Sequence, residues 1–466
     1  MSTALHPREA LRLRVSGVVQ GVGFRPFVHR LALRHALGGW VLNGAGDVQI
    51  AVEGPPAELA AFVRELETEA PPLARIESVD AEPGTPTGVA AFTIRESRDE
   101  PGRRQPVSPD VALCAPCERE LFDPANRRFH YPFITCTDCG PRFTVIDAMP
   151  YDRARTTMRA FTQCPACLAE YAAPGDRRYH SETNSCPVCG PELWLEGSAS
   201  PSGSGGQGVS AIASTARLLA AGLIVAIRGL GGFHLAVDAT NNEAVARLRG
   251  RKHRDAKPLA VMVRTLEQAR AIGQVSDREA ELLTSPERPI VLLTRFTDPG
   301  RQPGVCEGVS PGLDTVGVML AYTPLHHLLL EQVGGPLVMT SGNVSDEPIA
   351  TDNADARKRL AGIADAFLLH DREIVSRYDD SVVRVVGDAA VFVRRARGYA
   401  PLPLDLPVAS PRPLVAVGPH LKNTFTLVHA ARAYLSQHIG DLENLETLEH
   451  FRATLDAYQR LFRITP

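Results

Sequence analysis

The sequence lacks any run of about 18 uninterrupted apolar residues, the length needed to cross a bilayer as a helix. Its first ten residues, MSTALHPREA, contain no apolar signal core, so nothing there marks secretion. The expectation is a soluble, cytoplasmic protein with no membrane partner. It also lacks an excess of either charge: 50 Lys and Arg stand against 53 Asp and Glu, for a formal net charge of -3. That balance gives no global argument for a nucleic-acid partner, although a local basic patch remains open. Hydrophobic residues make up 44% and charged residues 22%, as in ordinary globular chains. At 466 residues the chain is too long for one core and implies about three domains.

Cysteine is not lacking. Eight of the nine cysteines fall in four Cys-x-x-Cys pairs: Cys114/Cys117, Cys136/Cys139, Cys164/Cys167 and Cys186/Cys189, with gaps of 18, 24 and 18 residues. Cys306 stands alone and is read as a bystander. At an offset of fifty the stretch repeats itself. Arg127-Arg128-Phe129-His130 answers Arg177-Arg178-Tyr179-His180, and each second pair continues Gly-Pro. Two pairs close a tetrahedron around zinc without an open position, so the repeat implies two structural Zn2+ sites. Which pairs share a metal stays open, since crossed pairing is also possible. A disulfide framework competes, but it needs an oxidising compartment. Four thiolates leave no water to activate, so the metals are read as folding energy for units too small to hold a core. His130 and His180 are read as structural, not as ligands.

Polar or proline-rich stretches at 97–110, 196–208 and 400–413 divide the chain into blocks 1–97, 108–195, 209–400 and 413–466. In the first block Leu11, Leu13 and Val15 alternate as in a strand, Gly17-Val-Val-Gln-Gly-Val-Gly-Phe-Arg25 follows, and then a helical pattern begins. Glycines between a strand and a helix start let backbone amides converge on an anion. Later strands at 40–43, 48–52 and 92–94, with a helix from Pro55, complete a βαββαβ order, a ferredoxin-like sandwich. The full string, with Gly39-Trp-Val-x-Asn43, resembles acylphosphatases over nearly the whole block. The resemblance implies that Arg25 grips a phosphate and that Asn43 orients the attacking water.

In the third block a strand at 223–227 leads into Gly229-Leu-Gly-Gly-Phe-His-Leu-Ala-Val-Asp238. Arg249-Gly-Arg-Lys-His-Arg-Asp-Ala-Lys257 then places five cationic side chains within nine residues, which suits a polyphosphate. Thr340-Ser-Gly-Asn343, Arg377-Tyr-Asp-Asp-Ser381 and Arg394-Arg-Ala-Arg-Gly398 add polar groups beside strands. Residues 209–400 resemble the YrdC family, which builds carbamoyl-type adenylates from ATP. The resemblance implies that Lys252, Arg254 and Lys257 hold phosphates and that Ser341 and Asn343 contact the acyl-adenylate, with Arg377 added to the nucleotide site. Arg228 stands where relatives usually carry lysine, so a compact ammonium becomes a broad fork whose role is open.

The order of acylphosphatase-like, double-zinc and YrdC-like blocks resembles the HypF family of carbamoyltransferases, which mature nickel–iron hydrogenases. Lys422-Asn-Thr-Phe and Leu435-Ser-Gln-His-Ile-Gly-Asp-Leu-Glu-Asn444 resemble the opening of that family's Kae-type ASKHA domain, so residues 413–466 are expected to supply only its beginning and to leave apolar surface uncovered. The expected fold class is therefore multidomain α/β (α+β). The resemblance implies hydrolysis of carbamoyl phosphate, carbamoyl adenylate formation from ATP with Mg2+, and transfer to the C-terminal cysteine of a HypE-like acceptor. Two rivals are a threonylcarbamoyl-adenylate synthase of tRNA modification and a non-enzymatic zinc scaffold. The phosphatase-like block argues against the first, and the intact cationic residues argue against the second.

Overall fold

A computed structural model of the chain describes residues 8–44, 46–97, 107–197, 206–296, 304–344 and 347–466. Among these no helix is long and apolar enough to cross a membrane.

The first unit contains β1 (Glu9–Val18), α1 (Phe24–Arg34), β2 (Gly38–Asn43), β3 (Val48–Gly54), α2 (Pro56–Thr68), β4 (Arg75–Gly84) and β5 (Phe92–Ile94). Its sheet runs β4-β1-β3-β2-β5. The sequence assigns the last strand of the βαββαβ order to residues 92–94, but β4 takes that place, antiparallel to β1. β5 is an added edge, parallel to β2. The reason lies in β4 itself: RIESVDAEPG buries none of its side chains fully, so the alternation that marks a half-buried strand is missing.

The cysteine block has little regular structure beyond α3 (Ala115–Leu121), α4 (Pro165–Ala172) and β6 (Leu193–Gly197). Cys114 and Cys164 occupy the positions just before the two helices, each followed by a proline in the first turn, where the missing N–H costs nothing.

The third unit packs helices on a large sheet. Its helices are α5 (Val209–Ala220), α6 (Asn242–Lys252), α7 (Leu266–Ile272), α8 (Asp277–Thr284), α9 (Pro324–Val333) and α10 (Asn353–Leu360). Its strands are β7 (Val225–Arg228), β8 (Phe233–Asp238), β9 (Ala260–Val263), β10 (Gly273–Gln274) and β11 (Ile290–Arg295). They continue with β12 (Thr315–Leu320), β13 (Leu337–Ser341), β14 (Ala366–His370), β15 (Val382–Val386) and β16 (Ala389–Arg394). The order is β16-β15-β11-β12-β9-β13-β8-β7-β14-β6, with β10 beside β11.

β6, at the end of the cysteine block, is thus an edge strand of this sheet, paired antiparallel with β14. The Gly/Ser-rich stretch read as a tether returns onto the same strand. Gly208 N–H donates to the Leu193 carbonyl at 2.8 Å; residues 198–205 lie outside the described residues. One apolar core accordingly joins Leu113, Leu121 and Ile134 to Ile212, Leu325 and Leu329. Composition marked a boundary that packing does not respect.

Residues 404–462 form β17 (Leu404–Val417), β18 (Phe425–Leu435) and α11 (Leu445–Phe462). The proline-rich stretch read as extended linker is the first half of β17. Tyr458 and Phe462 of α11 share a core with Phe143 and Tyr378, while Val408 and Val417 remain exposed.

Candidate functional site

The cysteines settle into two tetrads, Cys114/Cys117/Cys136/Cys139 and Cys164/Cys167/Cys186/Cys189, each with its sulfurs within 4.8 Å of one another. Each repeat therefore closes its own site, and crossed pairing is excluded by geometry. Contacts of 3.6 Å for Cys114–Cys136 and 3.7 Å for Cys164–Cys186 match the edge of about 3.8 Å expected for a tetrahedron with Zn–S bonds of about 2.3 Å. The donor set fits zinc.

The Arg-Arg pairs explain the rest of the repeat. Arg127 and Arg128 of the first unit donate to Cys167 Sγ of the second at 3.2 and 3.5 Å and pair with Glu170. Arg177 of the second donates to Cys117 Sγ of the first at 3.3 Å, and Arg177 and Arg178 pair with Glu120. Each unit so supplies the guanidiniums that offset the negative charge of the other's thiolates. These arginines are spent inside the protein; Arg128 is buried to 1% exposure.

The phosphate cradle lies where this block meets the first unit. Gly21 and Gly23 have φ of +71° and +73°, the left-handed region, and Gly23 precedes the first turn of α1. A Cβ on Gly23 would come within 3.1 Å of Thr137 and Asp138, so the loop sits directly against the first metal knuckle. Arg25 and Asn43 line one cavity of about 330 Å³ with Gln20, Tyr151, His180 and Glu182. Arg25 donates to Glu182 Oε1 at 3.1 Å and lies 3.6 Å from Asp152. Asn43 is 1% exposed, and neither its Oδ1 nor its Nδ2 has a partner among the described residues. A buried amide with no partner is an uncommon cost in a folded protein and marks a place for a polar guest.

Burial pushes the Glu182 carboxyl up, against the pull of Arg25. Burial, then the Arg25 charge, lowers His180 to about 4, so a neutral imidazole faces the cradle at pH 7. Sequence reasoning missed Glu182 and Arg142. Arg142 donates from its guanidinium to the Gly21 carbonyl, to Cys139 O at 3.0 Å and to Thr137 O at 2.8 Å. It ties the phosphate loop to the first cysteine tetrad. The Cys-Gly-Pro-Arg string was the available signal.

A second, larger cavity of about 2020 Å³ gathers Lys252, Arg254, Lys257, Ser341, Asn343 and Arg377. Lys422, His438, Asp441 and His450 of the last unit line it as well. Lys252 is 1% exposed, and its Nζ donates to Ser341 O at 2.7 Å and to Asn343 O and Oδ1 at 2.6 Å. It holds the Ser341–Asn343 turn in shape from below. Replacing it with methionine strands three acceptors around a buried site. Charged hydrogen bonds contribute about 1.5–3 kcal/mol, so Lys252→Met should weaken ATP binding about tenfold or more, as calorimetric titration would show; unchanged affinity would rule out the clamp.

Two further groups belong here that the sequence did not single out. His234 Nε2 lies 3.1 Å from Asp380 Oδ2, and Arg397 Nε donates to Asp380 Oδ1 at 2.6 Å. Burial opposes ionisation of Asp380, but Arg397 and His234 outweigh it and hold the carboxyl below its usual range. His234 and Asp380, the two that line the cavity, sit inside strings read for their glycine or arginine content. Arg228 is not in this cavity. Its side chain lines a separate space with His370 and Arg372, and its Nη1 donates to His370 O at 2.5 Å.

Burial lowers His438 to about 4 and His450 to about 3. Unfolded, both titrate near 6.5, so the unfolded chain binds more protons below that value and stability falls as pH drops from about 6.5 toward 4. The thermal midpoint should decline from pH 7.5 to 5. His450→Gln should flatten that slope; an unaltered slope would remove His450 as its source.

Comparison with known proteins follows the same division. Residues 11–94 match the acylphosphatase family and residues 113–146 and 164–196 the HypF finger. Residues 217–396 match the family described as telomere recombination, and residues 409–466 the HypF Kae1-like domain. The carbamoyltransferase HypF2 of Cupriavidus necator is 50% identical over 98% of this chain and 58% of its own length. The carbamoyltransferase HypF of Synechocystis sp. is 48% identical over 98% of this chain and 59% of its own. A crystal structure of full-length HypF in the phosphate- and nucleotide-bound form superposes with a TM-score of 0.94 at 43% identity, covering 100% of this chain and 60% of that one. The chain thus spans somewhat less than two thirds of the length of these relatives.

Proposed function

The chain belongs to the HypF family, and on that premise we propose that it carries two consecutive steps of a carbamoyl transfer. In the first, carbamoyl phosphate enters the cradle. Arg25 exchanges Glu182 for the phosphoryl oxygens, and the loop amides around Gly21 and Gly23 share the negative charge. Asn43 orients a water through its amide oxygen. Attack at phosphorus breaks the P–O bond to the carbamoyl group, giving inorganic phosphate and carbamate. The catalysis is positioning and charge stabilisation, with no covalent intermediate on the protein.

In the second step carbamate oxygen attacks the α-phosphorus of ATP, and pyrophosphate leaves. Arg254, Lys257 and Arg377 hold the phosphates, with Mg2+ accompanying the nucleotide. Lys252 supports the turn whose Ser341 and Asn343 meet the acyl-adenylate. Transfer to the C-terminal cysteine of a HypE-like acceptor completes the reading for the whole family protein, in a cytoplasmic setting. The two zinc sites are structural throughout.

The observation that carries this reading is the orphaned amide of Asn43 beside Arg25, in a cavity closed by the zinc block. A phosphatase meant for bulk substrates gains nothing from such a cover. One whose product decomposes in water gains protection. The test is pyrophosphate release from ATP with carbamoyl phosphate in one arm and threonine plus bicarbonate in the other. Release in the first arm only is expected. Release in the second only would assign the chain to threonylcarbamoyl-adenylate chemistry.

A further inference from the structure

A third, small cavity adjoins residues of both proposed sites. Its walls are mostly apolar and buried: Val111, Ile134, Leu230 and Leu325 are each at most 6% exposed. On one side it is closed by Gly140 and Pro141, next in the chain to Arg142 of the cradle. On the other it touches Tyr322, whose ring carries the Arg397 guanidinium at 3.4 Å. That arginine in turn binds Asp380 at the nucleotide cavity.

Into this apolar space come two guanidiniums. Arg372 is 8% exposed and makes no hydrogen bond and no ion pair among the described residues; its guanidinium lies over the Phe133 ring at 5.3 Å. Arg228 is 6% exposed and spends one nitrogen on the His370 carbonyl, while its Nε has no partner among the described residues. Asp110 and Asp371 act on Arg372, and Asp352, Asp371 and Glu373 on Arg228, at a distance, with no ion pair formed to either guanidinium among the described residues. Asp371 accepts from Glu192 N–H, and Asp110 from Arg142 N–H and Thr144. His370 donates from Nε2 to the Gly229 carbonyl at 3.2 Å, and burial keeps it neutral. Its Nδ1 is an acceptor without a partner among the described residues. Burying a cation with no counter-ion in contact is costly, and two in one cavity repel each other. A fold that retains them is built to receive an anion there.

We propose that Arg228 and Arg372 form a binding site for a small planar oxyanion, and that carbamate rests on it between the two reactions. The size excludes a nucleotide, and the apolar walls disfavour a strongly hydrated phosphate. A carboxylate-like group matches the guanidinium fork, and the His370 Nδ1 suits the amino group as acceptor. The site would also preserve its guest. Carbamate decays when its nitrogen takes a proton and the C–N bond breaks to ammonia and carbon dioxide. Guanidiniums on its oxygens draw electron density from that nitrogen, and the nearest imidazole has no charge with which to protonate it. The inference rests on the relay proposed above. It also gives Arg228 a reason to be arginine, since it serves this cavity and not the nucleotide one.

The probe is bicarbonate, in which a hydroxyl replaces the amino group of carbamate, tested against chloride at equal ionic strength on the zinc-loaded chain. Bicarbonate should raise the thermal midpoint of the wild type and leave that of Arg372→Met unmoved. Without bicarbonate, Arg372→Met should melt no lower than the wild type, because an uncompensated charge has been removed. The variant should hydrolyse carbamoyl phosphate at the wild-type rate but release several-fold less pyrophosphate per phosphate. Arg372→Lys should fall between the two. A variant that melts lower or fails to fold makes Arg372 structural and overturns the site. So does a bicarbonate shift that is absent from the wild type or survives the substitution. If the shift behaves as expected but wild-type chain makes no pyrophosphate from carbamoyl phosphate, the oxyanion site stands and the relay falls.

Discussion

Replacing Cys139 with serine should abolish carbamoyl phosphate hydrolysis, although no cysteine touches the cradle. A structural zinc contributes about 10–16 kcal/mol to folding, comparable with the whole stability of a domain at about 5–15 kcal/mol. The knuckle that Cys139 closes offers its carbonyls to Arg142, and Arg142 reaches from there to Gly21. Thr137 and Asp138 of the same knuckle form the surface on which Gly23 rests. With the first metal gone, the phosphate loop loses its support beside Gly21 and Gly23. The variant should bind one zinc fewer by atomic emission, lose near-ultraviolet dichroism and show no hydrolysis above background. Full hydrolysis with one zinc missing would separate the cradle from the metal site and remove Arg142 as the link.

Asn43→Ala should lower the hydrolysis rate by about 10²–10³-fold, the usual effect of losing one positioned polar group at a reacting centre. The variant should fold as well as the wild type or better. Neither amide atom of Asn43 has a partner among the described residues, so its removal breaks none of their hydrogen bonds and relieves a buried polar group. Arg25→Ala should be at least as damaging to the rate, but it also strips Glu182 of its cation. Breaking one half of a buried pair costs about 3–5 kcal/mol. Asn43→Ala is therefore the cleaner variant: activity falls while the melting temperature holds. A fall in both would make Asn43 a structural residue. ATP binding in the third unit should be the same in both variants.

Much of this was legible in the sequence because it is written in local strings. The fifty-residue repeat announces two metal sites, and the Arg-Arg pairs within it belong to the same plan, since each unit guards the other's sulfurs. The glycine loop before α1 and the cationic run at the end of α6 are likewise local. What was hidden depends on docking between blocks. Glu182 comes to Arg25 from 157 residues away, and no spacing rule connects them. β4 was hidden for a different reason, because an edge strand that buries no side chain fully has no alternation to read. The stretch at 196–208 separates the family matches that end at 196 and begin at 217, but glycine and serine report only flexibility of the chain, while the pairing of β6 with β14 is decided by partners far away. Arg228 shows the limit of a motif: its neighbours point to one cavity and its side chain to another.

The most direct measurement mixes two impaired chains. Asn43→Ala retains the nucleotide site and lacks the hydrolysis; Lys252→Met retains the hydrolysis and, at an ATP concentration that half-fills the wild-type site, leaves its own nearly empty. If carbamate passes within one molecule, an equimolar mixture supplied with carbamoyl phosphate and ATP should release phosphate but almost no pyrophosphate, while the wild type releases both. Pyrophosphate from the mixture at the wild-type rate would show that carbamate crosses open solvent between chains, and the enclosed relay would be contradicted.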